Sequence, residues 1–232
     1  MKKTFLLSCL MLAAMPVMAA YTGRVYVDKN KNGVFDPGEK TWAGIKVSDG
    51  LNVVETAADG SFTLPGHERE RFIFITTPSG YKTFNRHYHK IEEKQSGYDF
   101  GLMPYSGRIR KDGSHKYIHI ADTEIFNTEN HEDWVNNVRD YARNEQAAFI
   151  IHTGDICYEK GLKAHIKLMN TENMDCPVFY CIGNHDLVKG KYGEELFESI
   201  YGPVYYSFDA GNMHYIVTPM PGGDHAPGYT AD

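Results

Sequence analysis

Acidic, amide and imidazole side chains follow two apolar runs in this chain. Residues 151–155 read Ile-His-Thr-Gly-Asp, and residues 183–186 read Gly-Asn-His-Asp. A carboxylate can bridge two cations through its two oxygens, an amide adds a neutral oxygen, and an imidazole can hand a proton to a leaving group. Residues of these types behind two strand-like runs indicate hydrolytic chemistry at a metal site.

A third acidic segment, Ala-Asp-Thr-Glu at residues 121–124, ends another apolar run. Strand-like runs alternate with apolar residues at helical spacing in this half, which predicts a parallel sheet covered by helices. The predicted strands are 117–121, 148–153 and 178–182, and the predicted helices contain residues 134–142, 162–169 and 192–200. A hairpin around residues 209–212 is expected next. Asn130 with Asp133 is the expected cap of the first helix.

The three acidic segments are expected to meet at one point. Ligand-bearing loops of a parallel sheet collect at the carboxyl ends of its strands. Carboxylates gathered there without cations would repel one another, and bound metal ions remove that repulsion. The carboxylates concerned are Asp122, Glu124, Asp155 and Asp186. The pattern therefore predicts a metal centre at this edge of the sheet.

Residues 116–232 resemble the calcineurin-like metallophosphoesterases. The signature of that family runs Asp-x-His, then Gly-Asp, then Gly-Asn-His-Asp or Gly-Asn-His-Glu, then two later histidine segments, and Gly-Asn-His-Asp is the most specific element found here. The resemblance implies an α/β four-layer domain that holds two divalent metal ions, Mn, Fe, Zn or Mg. The implied overall class is an α+β protein of two domains.

The resemblance also implies a role for each matching residue. The implied metal ligands are Asp122, Glu124, Asp155 and Asn184. Asp155 would bridge both ions, Asp122 would hold the first ion, and Asn184 would hold the second. His185 would be the proton donor, and Asp186 would orient it.

The sequence departs from this signature in two places. Glu124 stands where the family usually has a histidine; it can coordinate and favour harder ions such as Mn²⁺ or Mg²⁺ over Zn²⁺, or point away and leave a weakened first site. The later histidine segments do not occur before Asp232, and His214 and His225 have the wrong sequence context to replace them. The metallophosphoesterase domain is therefore expected to be incomplete.

Residues 21–105 have no convincing helical period and read as short strands between turn residues. The predicted strands are 24–27, 45–48, 53–56, 61–64, 72–76 and 98–103. They predict a small β-sandwich, which resembles the immunoglobulin-like domain at the amino terminus of secreted bacterial phosphoesterases. The hydrophilic residues 106–115 are predicted to be the linker to the second domain.

One loop of the first half has calcium-loop spacing. Oxygen-bearing side chains fall at positions 1, 3, 5, 9 and 12 of residues 28–39, with Gly33 at position 6 and Val34 at position 7. The candidate ligands are Asp28, Asn30, Asn32, Val34, Asp36 and Glu39. A solvated turn between two strands is the alternative. The coincidence of positions favours a structural calcium ion.

Residues 1–20 read as a secretory signal peptide, with basic residues, an apolar core and small residues at the cleavage site. It is too short to span a bilayer, so no transmembrane segment is predicted, and the protein is expected to be secreted or periplasmic. Lipidation at Cys9 is disfavoured because the apolar run continues past it. Removing the peptide leaves 22 basic and 30 acidic residues, a formal charge of −8, which argues against nucleic-acid binding through a basic patch.

Cys157, Cys176 and Cys181 remain after cleavage. An odd number does not predict a disulfide framework. Cys176 and Cys181 flank one strand and lie too far apart to bridge. A bond between Cys157 and Cys181 stays open, although buried free thiols are the favoured interpretation.

Four other histidines are not favoured as metal ligands. His119 and His152 alternate with apolar strand residues, which favours structural positions or support of the metal ligands. His87 and His89 could bind a metal, but an exposed polar loop at residues 85–90 is the favoured interpretation.

Two functions of different classes follow. The first is a secreted metal-dependent phosphoesterase, in which a metal-bound hydroxide attacks a phosphate mono- or diester and His185 protonates the leaving oxygen. The second is a non-catalytic, calcium-stabilised surface or binding module with a truncated or degenerate phosphoesterase domain. The identity of the phosphate ester, the metals and the oligomeric state are left open.

Overall fold

The computed structural model describes residues 20–95, 97–105, 108–188 and 191–219. The predicted signal peptide, apart from Ala20, lies outside the described residues, and so does His225. Within the described ranges, no helix is long and apolar enough to cross a membrane.

The amino-terminal part consists of strands. They are β1 (Ala20–Val27), β2 (Lys46–Ser48), β3 (Val53–Glu55), β4 (Ser61–Pro65), β5 (Phe72–Ile75), β6 (Tyr81–Thr83), β7 (Tyr88–Lys90) and β8 (Phe100–Pro104). The described strands build two four-stranded sheets, with orders β4-β1-β8-β6 and β3-β2-β5-β7. Buried side chains from both sheets form one core, as in a sandwich. The immunoglobulin-like type of this sandwich stays a prediction.

Alternation along the strands explains this core. In β4, Phe62 and Leu64 are buried whereas Thr63 and Pro65 are exposed, because successive side chains of a strand point to opposite faces. The six predicted strands are all present. Sequence reasoning missed β6 and β7, which are three residues long and each consist of one tyrosine followed by two polar residues.

The interpretation of residues 85–90 as an exposed polar loop is wrong. Strand β7 pairs antiparallel with β5, and Tyr88 on it is buried. The imidazole of His87 packs against the ring of Tyr206, with ring centroids 4.5 Å apart. Burial lowers the pKa of His87 to about 3, so this imidazole is neutral.

The second half alternates helices and strands as predicted. Its elements are β9 (Tyr117–Ile120), α1 (Glu132–Asn144), β10 (Phe149–His152), α2 (Glu159–Leu168), β11 (Val178–Tyr180), α3 (Glu195–Tyr201), β12 (Tyr206–Ala210) and β13 (Met213–Val217). Strands β11, β10 and β9 lie in that order, and both pairings are parallel. The predicted parallel sheet is confirmed.

The two faces of this sheet are covered by different elements. Ile150 of β10 belongs to a core that includes Val135 and Ala142 of α1. The adjacent residue Phe149 belongs to a core that includes Phe208 of the β12–β13 hairpin. Neighbouring strand residues face opposite sides, so α1 covers one face and the predicted hairpin covers the other.

The cap predicted for α1 is wrong. The residue before the helix is His131, which makes no capping hydrogen bond through its side chain, and Asn130 has a left-handed φ of 59°. Asn130 ends the preceding turn one residue before the cap position, because asparagine tolerates that backbone conformation. The three remaining cysteines are free thiols, as interpreted; Cys157 and Cys176 are buried, whereas Cys181 is half-buried.

The described part of the predicted linker packs against the second half. Arg108 donates a hydrogen bond from Nη1 to the carbonyl oxygen of Ala147 at 3.0 Å, and His115 Nε2 lies 2.7 Å from the Tyr215 hydroxyl. The sandwich contacts the same half directly, since Arg71 pairs with the buried Glu198 at 2.9 Å. The two halves are therefore joined by side-chain contacts as well as by the polypeptide linker.

Candidate functional site

Three loops meet beyond the carboxyl ends of the parallel strands. The backbone N–H of Asp122, in the loop after β9, donates to the carbonyl oxygen of Gly154, in the loop after β10, at 3.1 Å. Gly154 in turn packs against Gly183 in the loop after β11, where a Cβ on Gly154 would lie 2.5 Å from the Gly183 Cα. These contacts confirm the prediction that the three loops converge.

Three acidic residues of these loops have left-handed backbone conformations. The φ angles are 54° at Asp122, 42° at Glu124 and 51° at Asp155. A residue with a Cβ pays about 1–2 kcal/mol in this region, and such residues occur mainly where the surrounding structure holds them. The loops therefore keep these three carboxylates in conformations that an isolated chain would avoid.

Asp155 lies between the loops after β10 and β11. Its Oδ1 accepts the backbone N–H of His185 at 3.1 Å. A Cβ at Gly183 would collide with the Asp155 Oδ1 and backbone N, so only glycine leaves room for the carboxylate at that position. The Gly-Asn-His-Asp motif therefore begins with glycine because the preceding Gly-Asp motif packs against it.

His185 lies between an acidic and an aromatic neighbour. Its Nδ1 is 3.2 Å from Oε1 of Glu124, and its ring stacks on the ring of Tyr158, with centroids 5.2 Å apart. An Nδ1–H donated to Glu124 leaves Nε2 as the ring nitrogen available for proton transfer to a substrate. Sequence reasoning missed Tyr158; its signal was an aromatic residue three positions after Asp155.

The structure does not give Asp186 the predicted role of orienting the His185 ring. Asp186 is fully buried, and its Oδ1 accepts the backbone N–H groups of Ile156 and Cys157, both at 3.0 Å. Its Oδ2 accepts the N–H of Gly183 at 2.9 Å. Asp186 therefore ties the loop after β10 to the loop after β11 through the backbone. Burial raises the pKa of Asp186 to about 7, and the three backbone donors act in the opposite direction.

The donor atoms of the candidate ligands are of the type that binds a divalent cation. Asp122 and Glu124 are exposed, whereas Asp155 and Asn184 are half-buried, and all four supply the oxygen donors that Mg²⁺ and Mn²⁺ prefer. Within the described ranges, no group of three or more His, Cys, Asp or Glu side chains already has a metal-binding arrangement. The loops thus bring the donors together by their backbone, and side-chain rotation would have to complete the coordination.

Of the other histidines, His214 lies away from this cluster, whereas His119 and His152 contact residues close to the candidate ligands in the chain. His214 is on β13, and its Nδ1 is 2.7 Å from Oδ1 of Asp209. His119 on β9 contacts the Thr153 hydroxyl at 2.7 Å. His152 is fully buried behind the loops, in agreement with a structural or supporting position.

The candidate calcium loop closes on its own side chains. Asp28, which is 1% exposed, accepts the backbone N–H groups of Asn32 and Gly33 through its two oxygens. Asn30 and Asn32 both donate side-chain N–H groups to Oδ2 of Asp36, at 2.7 and 2.8 Å. These two hydrogen bonds lower the pKa of Asp36 below its usual value. Gly33 at position 6 has a φ of 74°, the conformation that this position of a calcium loop requires.

Glu39 closes the other end of this loop. Its Oε1 accepts the N–H of Lys29 at 2.8 Å, and its Oε2 accepts the N–H of Asp36 at 3.1 Å. Val34 is 60% exposed, and its N–H donates to Oδ1 of Asn32 at 2.8 Å. Three carboxylates and two amides thus surround one short loop.

The sequence matches two family models. Residues 29–105 match the amino-terminal region of calcineurin-like phosphoesterase, and residues 115–224 match calcineurin-like phosphoesterase itself. The chain belongs to the calcineurin-like phosphoesterase family. Membership indicates a metal-dependent phosphoester hydrolase in general terms. A comparison with curated proteins finds no match.

Proposed function

We propose that this chain hydrolyses a phosphate mono- or diester with two divalent cations bound at the loops after β9, β10 and β11. The observation that supports this proposal is the hydrogen-bonded convergence of those loops. Asp122 and Gly154 are joined at 3.1 Å, and Asp155 and His185 are joined at 3.1 Å. Each loop contributes at least one oxygen donor.

The ligand roles are those that the family resemblance implies. Asp155 has loops on both sides, which suits a carboxylate shared by two cations. Asp122 and Glu124 would hold one cation, and Asn184 would hold the other. Divalent cations supply a water of lowered pKa and neutralise charge on the phosphate. With Glu124 as a carboxylate ligand, the first site would prefer Mn²⁺ or Mg²⁺ over Zn²⁺.

His185 would protonate the leaving oxygen from Nε2. Its Nδ1 contact with Glu124 and its stacking on Tyr158 both restrict rotation of the ring. A fixed ring keeps the proton within reach of one position, which is what general acid catalysis needs.

The test compares the variant His185→Ala on two esters. Phenyl phosphate has a poor leaving group that needs protonation, and 4-nitrophenyl phosphate has a good one that needs little. Loss of the general acid should cost about 10²–10⁴-fold on the poor leaving group and much less on the good one. His214→Ala, at an exposed histidine outside the site, is the matched control.

The outcomes separate the two functions. Equal losses for both esters would refute the proton-transfer role, and loss of bound Mn²⁺ would make His185 a ligand. A wild-type protein that binds Mn²⁺ but hydrolyses neither ester, nor the corresponding diesters, would favour the non-catalytic, calcium-stabilised module.

We also propose that the protein works in a secreted or periplasmic setting, on the strength of the composition of residues 1–20. Ala20 already pairs with Pro65 in the sandwich, so cleavage after residue 19 would keep the whole of β1. Cell fractionation followed by amino-terminal sequencing of the mature protein tests this. A protein found in the cytoplasm with its leader intact would contradict it.

A structural calcium ion in residues 28–39 of an immunoglobulin-like sandwich completes the proposal. The support is the inward arrangement of Asp28, Asp36 and Glu39 around a left-handed Gly33. Asn30 and Asn32 would present their amide oxygens to the ion after a half-turn of each amide group.

A further inference from the structure

A buried histidine lies directly behind the candidate metal ligands. His152 is the last residue of β10 and is fully buried. Its Nε2 is 2.9 Å from the hydroxyl oxygen of Thr123, and its Nδ1 is 3.3 Å from the backbone N of Gly154. One imidazole thus contacts both the loop after β9 and the loop after β10.

The donors and acceptors of this arrangement can be assigned. The N–H of Gly154 can only donate, so Nδ1 of His152 accepts and Nε2 carries the ring proton. Nε2–H then donates to Thr123 Oγ1, and the Thr123 hydroxyl proton is free to donate to the carbonyl oxygen of Ile156 at 3.4 Å. Burial lowers the pKa of His152 to about 4, which keeps the neutral form that this assignment needs.

The contact between Thr123 and His152 affects the orientation of the two residues next to Thr123. Thr123 lies between Asp122 and Glu124, and both of those residues have left-handed φ angles and exposed side chains. The Thr123 side chain points inward to His152, so its two neighbours are turned outward. The N–H of Ile125 donates to the Ile156 carbonyl oxygen at 3.3 Å and closes the loop on the far side.

We propose that His152 and Thr123 form a positioning pair that holds Asp122 and Glu124 in the strained conformation that presents them to a cation. This inference rests on the proposed function, because the pair can affect metal binding only if the loop after β9 binds a metal ion. Neither residue of the pair would touch the ion or the ester. Groups that support metal ligands in this way typically change metal affinity by about 10–100-fold when they are removed.

The variants that test this pair differ by single groups. Thr123→Val replaces the hydroxyl by a methyl group of similar size, whereas Thr123→Ser keeps the hydroxyl. His152→Gln keeps a side-chain N–H group but not the acceptor for Gly154. Thr153→Val is the matched control, because the Thr153 hydroxyl contacts His119 in the same region and, among the described residues, makes no hydrogen bond to the side chain of His152 or Thr123.

Two measurements on the full chain read out the effect. Hydrogen exchange of residues 121–125, without metal, reports whether the loop is held. Calorimetric titration with MnCl₂ reports whether holding it matters to the site. We expect faster exchange and a 10–100-fold weaker Mn²⁺ affinity in Thr123→Val and His152→Gln, and values near wild type in Thr123→Ser and Thr153→Val. The double variant Thr123→Val with His152→Gln should bind Mn²⁺ more weakly than either single variant, since Thr123→Val removes the hydrogen bond between Thr123 and His152 and His152→Gln removes the one between His152 and Gly154.

Each result decides something. Unchanged exchange in Thr123→Val, or faster exchange with wild-type Mn²⁺ affinity, would overturn the positioning role while leaving the proposed function standing. A wild-type protein that binds no Mn²⁺ would overturn the proposed function, and this inference with it. Urea unfolding of each variant identifies a global loss of stability, and an equal loss of affinity in Thr153→Val would show that the effect is unspecific and overturn the inference.

Discussion

The ring of Tyr158 lies nearly parallel to the imidazole of His185, with ring centroids 5.2 Å apart and an interplanar angle of 20°. Tyr158 precedes helix α2 and is 48% exposed. An exposed aromatic ring beside the candidate proton donor restricts the imidazole on one face, while Glu124 restricts it at Nδ1. Tyr158 therefore affects how precisely a proton could be delivered.

Replacing Tyr158 tests that relationship. Tyr158→Ala removes an aromatic contact worth about 0.5–1.5 kcal/mol, so we expect a two- to tenfold fall in kcat for phenyl phosphate. Tyr158→Phe keeps the ring and should keep the rate. The fall should be smaller for 4-nitrophenyl phosphate, which depends less on proton transfer. A rate that falls equally in Tyr158→Phe would assign the effect to the hydroxyl group instead.

The backbone contacts of Asp186 predict a loss of stability in Asp186→Asn. The asparagine has a single acceptor oxygen and turns an N–H group toward the donors that the carboxylate now accepts. Leaving a buried donor unsatisfied costs about 1–3 kcal/mol, which is the expected fall in the free energy of unfolding. Urea unfolding at pH 8 followed by circular dichroism measures it. Asp140→Asn, at an exposed ion pair on α1, is the control and should change little.

The sequence was sufficient to predict the elements that position the site. Strands β9, β10 and β11 were predicted because strand-like apolar runs alternate along the chain with segments whose apolar residues have helical spacing. This alternation of strands and helices is typical of a parallel sheet, which the structure has. The meeting of Asp122, Asp155 and Asn184 at one edge follows from that sheet, since parallel strands bring their carboxyl ends together.

The hydrogen-bond partners within the site were not predictable in the same way. The sequence shows that Asp186 is a carboxylate, but not that the N–H groups of Ile156 and Cys157 converge on it. Those donors come from a loop about 30 residues earlier in the chain, and only the folded backbone brings them together. The same holds for His152, whose burial and contact with Thr123 depend on the packing of two loops.

Calcium binding by the full chain is the next prediction. Titration with CaCl₂ should give a saturable heat and raise Tm, because an ion that binds only the folded state stabilises it. Asp36→Asn should weaken that binding, since Asp36 is the carboxylate on which both amides converge. Asp59→Asn alters a comparable turn outside the loop, where Asp59 accepts from Ser61, and should bind as the wild type does. No heat and no shift in Tm would refute the site.

The buried His165 predicts that acid destabilises the protein. His165 is fully buried, its Nδ1 contacts the Tyr201 hydroxyl at 3.0 Å, and its Nε2 has no hydrogen-bond partner among the described residues. Burial lowers its pKa to about 3, against about 6.5 in the unfolded chain. The unfolded state therefore binds the proton first, so the stabilising contribution is complete above pH 6.5 and is lost as the pH falls below it.

His165→Phe should make the protein less sensitive to acid. At pH 5 the wild-type histidine costs roughly 2 kcal/mol relative to pH 8, and phenylalanine, which cannot titrate, removes that cost. At pH 8 the variant should lie within about 1 kcal/mol of wild type, because Tyr201 still donates to the Leu162 carbonyl oxygen. Urea unfolding of both proteins at pH 8 and pH 5 measures the difference, with His214→Gln as an exposed control. Asp186, whose pKa is raised, has the opposite effect on stability between pH 4 and 7. Because it is present in both proteins, it does not contribute to the difference between them. If wild type and His165→Phe showed the same pH dependence of stability, His165 would not be buried in its neutral form.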